Sequence, residues 1–574
     1  MTDSTSTKAW SLRRWLANLS VRDRAVGAAT VGAGALTALM LYLEASHEPY
    51  HVDELRQVRS YYGSAMNVVN ASFAQDQPPL DKLVGAQFGF FLGTGDIPNR
   101  ASSMVAGLGV VAILIVLLWR SRVRVGVPVT VAVLAVTPTF LSFTAYARPY
   151  ALPLFLILLH AAMSDSWLRN GDKIVALRLA AVAMLLPLSR VFEPPAYLVL
   201  VTVTVFVYRR WWRPEWGARV WWIAASTTAA LLAVELPVFR RLQDQLSAYQ
   251  GDDGAASLSE QWDRVINDSL PRFATVFENG WLALLLVMFA LTRAGVRRRL
   301  FELWWFWPVT AAAGSFAVAF HYRTLPGQPF YSRYGYFWLV SFAIVVGLLV
   351  DDTVERRAWR TPGTWIAGAL VGAMAVSLTV GVVDDLSTAD RTDYRALGEL
   401  IEAEYPDTVD VIFDTVAYPL GKWRPGYAGY GRYTADARQM IKAEILHFRP
   451  ETIVDGQDYL IATAGPILDV EGWEPVVASH NLTLYVPDQY PATVSEVAAA
   501  LIDFGRATQP LQGAVLRIAG ALVFVNVGEL GAGCAEIDAL IAEDPAITQK
   551  VATSVERSQL AEDFASCPGG NPLS

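Results

Sequence analysis

The chain has 574 residues, 53% of them hydrophobic and 17% charged, with a mean hydropathy of +0.32. That composition excludes an ordinary soluble domain and describes a multi-pass membrane protein. A net charge of −8 and six histidines argue against a nucleic-acid partner, which needs a basic face, and against a structural zinc site.

An apolar run of about 20 residues crosses the hydrocarbon as a helix. The first expected span, near 25–45, follows Lys8, Arg13, Arg14, Arg22 and Arg24 without a small-residue cleavage site, and so reads as a retained anchor with a cytoplasmic N-terminus. Ten more are expected near 101–119, 125–145, 150–163, 174–189, 195–208, 221–239, 279–293, 304–320, 335–350 and 364–383, giving a polytopic α-helical protein of eleven transmembrane helices. Three regions follow. A cytoplasmic segment covers 1–24, a transmembrane domain with a large outer loop at 46–100 covers 25–383, and an extracytoplasmic α/β domain covers 384–574.

Threading these spans in alternation puts "RSRVR" at Arg120, "RRWWR" at Arg209, "RAGVRRR" at Arg293 and "ERRAWR" at Glu355 on the cytoplasmic side, as the positive-inside bias requires. The same threading sends "AYARPY", "SRVFEPP", the loop from Arg240 to Glu278, "HYRTLPGQPFYSRYGY" and everything from Asp384 onward to the outside. From Asp384 there are 29 acidic and 12 basic residues, a balance of −17 against +9 for the rest. Both cysteines, Cys534 and Cys567, fall in this outer domain, where thiols oxidise; one disulfide is expected, with two free thiols as the alternative.

Within the outer domain "DYRALGELIEAEY" and "ATVSEVAAALIDFG" have helical spacing, whereas "VDVIFDT" and "DYLIATA" read as buried strands. "GELGAGCAE" lacks the Lys-Ser/Thr of a phosphate-binding loop and the full dinucleotide fingerprint, and is expected to be a turn.

The first outer loop carries "HVDEL", with Asp53 and Glu54 ahead of Arg56 and Arg59, and then "DQPPLDKLVG", in which Pro78 and Pro79 stop one helix and orient the next. Asp53 and Glu54 read either as a capping or salt-bridged pair or as chemistry held at the membrane edge, where desolvating a charge is costly.

The order "DE" after the first span, "QPPLDKL", "ARPYAL" and "YSRYGYFWLV" resembles the GT-C membrane glycosyltransferases that use polyprenyl-phosphate sugars, and most of all the branch of protein O-mannosyltransferases and aminoarabinose transferases. The resemblance covers about two-thirds of the chain as an ordered pattern. It implies a hexosyl- or pentosyltransferase moving sugar from a polyprenyl-phosphate donor to a hydroxyl of an envelope glycan, glycolipid or protein on the outer face, with inversion. Under it Asp53 is the general base and Glu54 a further catalytic candidate, since a partly desolvated carboxylate suits proton abstraction. Arg148, Arg190, Arg323 and Arg333 become candidates for the donor phosphate, because guanidinium clamps phosphate oxygens in a bidentate way. Tyr150, Tyr331, Tyr334, Asp81 and Glu193 become candidate substrate contacts, against the ordinary reading of interfacial tyrosines as an aromatic belt. Several family members place a second acid in the turn where "AYARPYAL" has none, which leaves Glu193 or Glu54 as substitutes for the second carboxylate.

No cofactor is expected, and no metal, although some relatives on this fold use a divalent cation. A low-Lys, Ala- and Val-rich composition suggests a bacterial inner membrane. The competing reading is a transporter or flippase of a lipid-linked sugar, which should show repeated halves and helices broken near the bilayer centre.

Overall fold

The computed structural model describes residues 20–47, 54, 57–58, 61, 64–73, 77–93, 96–190, 192–238, 240–241, 276–323, 335–355, 361–387, 400, 410–414, 421–423, 459–464, 469–479, 482–508, 510–543 and 567. They fall into two compact units. The first comprises 1–47, 63–91 and 97–388; the second comprises 48–62, 92–96 and 389–574. The second unit thus takes in two pieces of the loop that chain order alone attaches to the membrane domain, because packing rather than adjacency decides membership.

In the first unit the helices are α1 (Val21–His47), α2 (Ala65–Phe73), α3 (Leu80–Leu92), α4 (Asp96–Arg120), α5 (Gly126–Ala135), α6 (Pro138–Ala145), α7 (Ala151–Asn170), α8 (Lys173–Leu185), α9 (Glu193–Trp211), α10 (Arg219–Ala230, continued by a π turn Leu231–Glu235), α11 (Gly280–Thr292), α12 (Ala294–Glu302), α13 (Phe306–Arg323), α14 (Tyr336–Glu355) and α15 (Pro362–Ser387). Every one of the eleven expected spans coincides with a helix or a helix pair. Among the described residues six helices, α1, α4, α7, α10, α14 and α15, are long and apolar enough to cross a membrane, and α5–α6 and α11–α12 raise the number to eight if each bent pair is one span. The other three expected spans are helices α8, α9 and α13, which lie outside that set.

The breaks have local causes. Pro138 sits at the start of α6 and cannot donate the hydrogen bond that would continue α5, and the two helices meet at 69°. Helix α7 stops at Gly171, whose φ of 71° is left-handed, and α8 starts one residue later, where the Asp172 carboxylate accepts from the Ile174 N–H at 2.8 Å.

Helix α14 is buried along nearly its whole length. It packs against α5 where Gly126 and Gly347 face each other: a Cβ on Gly347 would lie 2.7 Å from the Gly126 carbonyl oxygen. One turn on, Asp351 of α14 accepts from the N–H groups of Val125 and Gly126 at 2.8 and 3.1 Å, capping α5 from another helix. The same carboxylate takes Arg299 at 2.7 Å, and Arg299 also reaches Glu355 and the Arg122 carbonyl. Three of the basic loops expected on one side are therefore gathered at one end of the bundle.

The second unit holds a five-stranded sheet of β1 (Asp410–Asp414), β2 (Gly421–Trp423), β3 (Tyr459–Ala464), β4 (Trp473–Ser479) and β5 (Leu482–Pro487) in the order β2-β1-β3-β5-β4. The β1–β3 pair is parallel, with Ile412 opposite Ile461, and the other pairs are antiparallel. Among the described residues it also has helices α16 (Val494–Ala507), α17 (Pro510–Asn526) and α18 (Leu530–Glu543). A capping box between Thr493 and Glu496 starts α16. The two strands and the second helix read from the sequence lie where expected; "DYRALGELIEAEY" falls outside the described residues apart from Leu400.

"GELGAGCAE" corrects the expectation of a turn. Its first residue, Gly528, makes the turn with a φ of 88°, but the rest opens α18. Gly533 is small because α18 crosses α17 there: a Cβ would meet the Ala521 carbonyl oxygen at 2.6 Å. Close helix contact, not a loop, explains the glycine. Cys534, on the next residue, is bonded to Cys567, with 5.8 Å between their Cα atoms.

Candidate active site

Pro78 and Pro79 present Leu80 at the start of α3, and its N–H donates to the Leu188 carbonyl at 2.9 Å. That bond ties "QPPLDKL" to the turn "LSRVFEPP" more than a hundred positions away. Asp81 and Lys82 follow, both buried in the first turn of α3. Burial pulls the Lys82 ammonium down to about 7; the Arg148 charge adds to the fall and Asp81 opposes it. Lys82, Asp81 and Arg148 thus form one electrostatic group.

Arg148 lies in the tight turn between α6 and α7. The Arg148 N–H donates to the Tyr146 carbonyl at 2.8 Å and the Tyr150 N–H to the Arg148 carbonyl at 2.7 Å, two successive three-residue turns. The following Tyr150 is buried. Its ring faces the Arg190 guanidinium at 4.9 Å, and Phe337 of α14 approaches the same guanidinium at 5.5 Å. Arg190 Nε also lies 3.2 Å from the Glu193 carboxylate, which is fully buried at the start of α9. Beneath them Tyr336 meets Tyr150 edge-on at 6.3 Å and shares a 2.8 Å hydrogen bond with the Thr144 hydroxyl.

Four segments far apart in sequence therefore converge on one end of the first unit: Asp81 with Lys82, Arg148 with Tyr150, Arg190 with Glu193, and Tyr336 with Phe337. Three cations and two carboxylates, walled by aromatic rings, form a charged cluster whose guanidinium and ammonium groups are suited to an anionic group.

No family model matches the chain, and no curated protein matches it. Among solved structures, it is similar to ArnT from Cupriavidus metallidurans bound to undecaprenyl phosphate, at 12% identity and a TM-score of 0.45 over 80% of this chain and 97% of that one. The apo state of the same protein gives 13% identity and a TM-score of 0.45 over 80% and 98%. The oligosaccharyltransferase of Archaeoglobus fulgidus, in complex with Zn and sulfate, gives 12% identity and a TM-score of 0.39 over 66% and 56%. Likeness this slight does not assign chemistry; the site rests on its own residues.

Of the residues singled out in the sequence, Arg148, Tyr150, Arg190, Asp81 and Glu193 share this site. Glu54 is fully buried and belongs to the second unit. Asp53, Tyr331, Arg333 and Tyr334 lie outside the described residues, and Arg323 ends α13 with its side chain likewise outside them. Sequence reasoning missed Lys82, although it stands inside the quoted "QPPLDKL", because Asp81 beside it drew the attention due to a carboxylate. It also missed Tyr336, Phe337 and Thr144, which carry no pattern of their own. A phenol or a ring becomes part of a site only through what packs on it.

Proposed function

We propose that this chain is a membrane glycosyltransferase of the GT-C type that moves a sugar from a polyprenyl-phosphate donor to a hydroxyl of the cell envelope. The observation that carries the reading is the convergence of Lys82, Arg148 and Arg190 on one end of the helical unit. Cations gathered in a buried place are costly unless anionic groups meet them, and a donor phosphate would add to the charge that the carboxylates supply.

In this reading the base removes the proton of the acceptor hydroxyl, whose oxygen attacks the anomeric carbon from the face opposite the phosphate. The bond to the phosphate oxygen breaks, its electron pair stays on the phosphate, and polyprenyl phosphate leaves with the sugar inverted. Lys82, Arg148 and Arg190 stabilise the charge that builds on the leaving group. Asp53 is the proposed base on sequence grounds, with Glu54 or Glu193 as the second carboxylate; Arg323, Arg333, Tyr331 and Tyr334 stand as further proposed donor contacts. The outer face of a bacterial inner membrane is the proposed location. The cations, not a metal ion, neutralise the phosphate, and activity that survives exhaustive chelation is the expected result.

Release of polyprenyl phosphate from polyprenyl-phosphate hexoses and pentoses by purified protein, given envelope acceptors, tests the function. Asp53→Asn should lower release by roughly 100-fold or more, the scale of losing a positioned base, with donor binding kept. Movement of intact lipid-linked sugar across liposomes without any release would replace this reading with a flippase.

A further inference from the structure

At the end of the bundle far from Lys82 and Arg190, four aromatic side chains form an unbroken exposed band. Trp211 meets Trp212 at 6.0 Å, Trp212 meets Phe301 at 6.0 Å, and Phe301 meets Trp307 at 5.8 Å. They are 65%, 53%, 53% and 38% exposed in that order. They come from the end of α9, from α12 and from the start of α13, and the Tyr208 hydroxyl bonds the Phe301 carbonyl at 2.8 Å, so the band is one fixed surface.

Arginines border it. Arg209 and Arg210 end α9, Arg213 follows, and Arg297 and Arg298 lie on the exposed side of α12, whose other side buries Val296 and Leu300. Two acids offset them: Glu215 lies 3.4 Å from Arg213 and Glu302 lies 3.1 Å from Arg298. Arg297 spends some of its donors on the Leu291 and Thr292 carbonyls. Arg209 and Arg210 have no ion-pair partner among the described residues. The surface keeps an excess of positive charge.

Helix α12 turns 89° away from α11, so a helix that has run with the bundle is followed by an amphipathic one lying across its end. Water would leave the ring band uncovered, and hydrocarbon would leave the arginines unsolvated. The headgroup layer meets both demands, because rings sit at its apolar edge while cations reach its phosphates. An acidic protein would satisfy the charges alone.

We propose that α12, the end of α9 and the start of α13 form a binding surface for anionic phospholipid headgroups. Selectivity for an anionic over a zwitterionic headgroup follows from the excess arginines, since both lipids offer the same acyl edge to the rings.

The full chain in neutral detergent, examined by native mass spectrometry with equimolar phosphatidylglycerol and phosphatidylcholine, tests this. The expected result is retention of phosphatidylglycerol about tenfold over phosphatidylcholine, collapsing towards parity in the R209Q/R210Q/R298Q variant. These side chains lie at the surface, and an unchanged melting curve in phosphatidylcholine alone confirms that the variant folds. A second measurement needs no variant: raising the salt during lipid loading should erase the preference of the wild-type chain. Equal retention of the two lipids by wild type, or a preference untouched by both salt and substitution, overturns the proposal. Displacement of the lipid by soluble polyglutamate at matched charge overturns it in favour of an acidic protein partner.

Discussion

Nδ1 of His160 lies 3.1 Å from the hydroxyl of Tyr197, joining α7 to α9 with both side chains fully buried. The helices so joined begin at Ala151, next to Tyr150, and at Glu193, three residues after Arg190, and so carry two walls of the candidate site. Ser164 approaches the same nitrogen at 3.5 Å, and His160 Nε2 has no hydrogen-bond partner among the described residues.

Tyr197→Phe keeps the ring and removes the bond. We expect a loss of about 1 kcal/mol in unfolding free energy, the usual net value of one such bond in water or in membranes. His160→Leu added to the Tyr197→Phe variant should cost less than it does alone. Denaturation in mixed micelles checks both, and additive losses would show that the two groups do not interact.

Arg148 and Arg190 are expected to act as forks on a phosphate. Ala at either position should raise the donor KM, and Lys should restore it only in part, because an ammonium cannot make two parallel hydrogen bonds. Arg190→Lys should recover less than Arg148→Lys, since Arg190 also lies over the Tyr150 and Phe337 rings. Equal full recovery at both would reduce them to point charges.

Lys82, held near 7 by burial, should give donor binding a pH dependence that a phosphodiester cannot supply itself. The ammonium is present below about pH 7 and is lost above it, so affinity should be flat in acid and fall by up to about tenfold per pH unit above 7. Lys82→Arg, charged throughout, should remove the inflection. The opposite sign, with tighter binding in alkali, would take Lys82 off the phosphate.

Gly347→Ala should be severely destabilising, because its Cβ would press on the backbone oxygen of Gly126, which cannot rotate away. Gly368→Ala on α15 is the control: nothing lies within 4 Å of its Cβ position, and the change should be neutral or slightly stabilising. Thermal unfolding of both variants in one detergent makes the comparison.

In the second unit Arg517, buried on α17, pairs with Glu536 and Glu543. The hydrogen bond from Arg517 holds Glu543 below the usual carboxylate value. Its stabilisation is complete above that usual value and is lost as pH falls through the lowered one. Amide protection factors on α17 and α18, corrected for the intrinsic pH dependence of exchange, should therefore fall in acid, and Glu543→Gln should flatten that dependence.

Much of the helical architecture was legible because crossing a bilayer demands long apolar runs, and these stand out whatever they pack against. The strands Asp410–Asp414 and Tyr459–Ala464 were legible for a similar reason, as short apolar runs between breakers. The glycines of "GELGAGCAE" were not, since a glycine required by a neighbouring helix looks the same in sequence as one required by a turn. In the site, Arg148 and Arg190 stood out as charges in turns where charge is costly. Lys82 needed the knowledge that α3 is buried, and Tyr336 needed the Thr144 bond, both of which are properties of packing across hundreds of positions.

Helix α14 is surrounded by protein, while most of α1 and α15 lies on the surface of the bundle. Mutational tolerance should divide along that line. On the outward faces of α1 and α15 the neighbour is fluid lipid, so Leu, Ile, Val and Phe can replace one another and selection acts on polarity alone. On α14 the neighbours are fixed side chains, so selection acts on volume, and a change of one methyl group should matter more there than any apolar exchange on the other two.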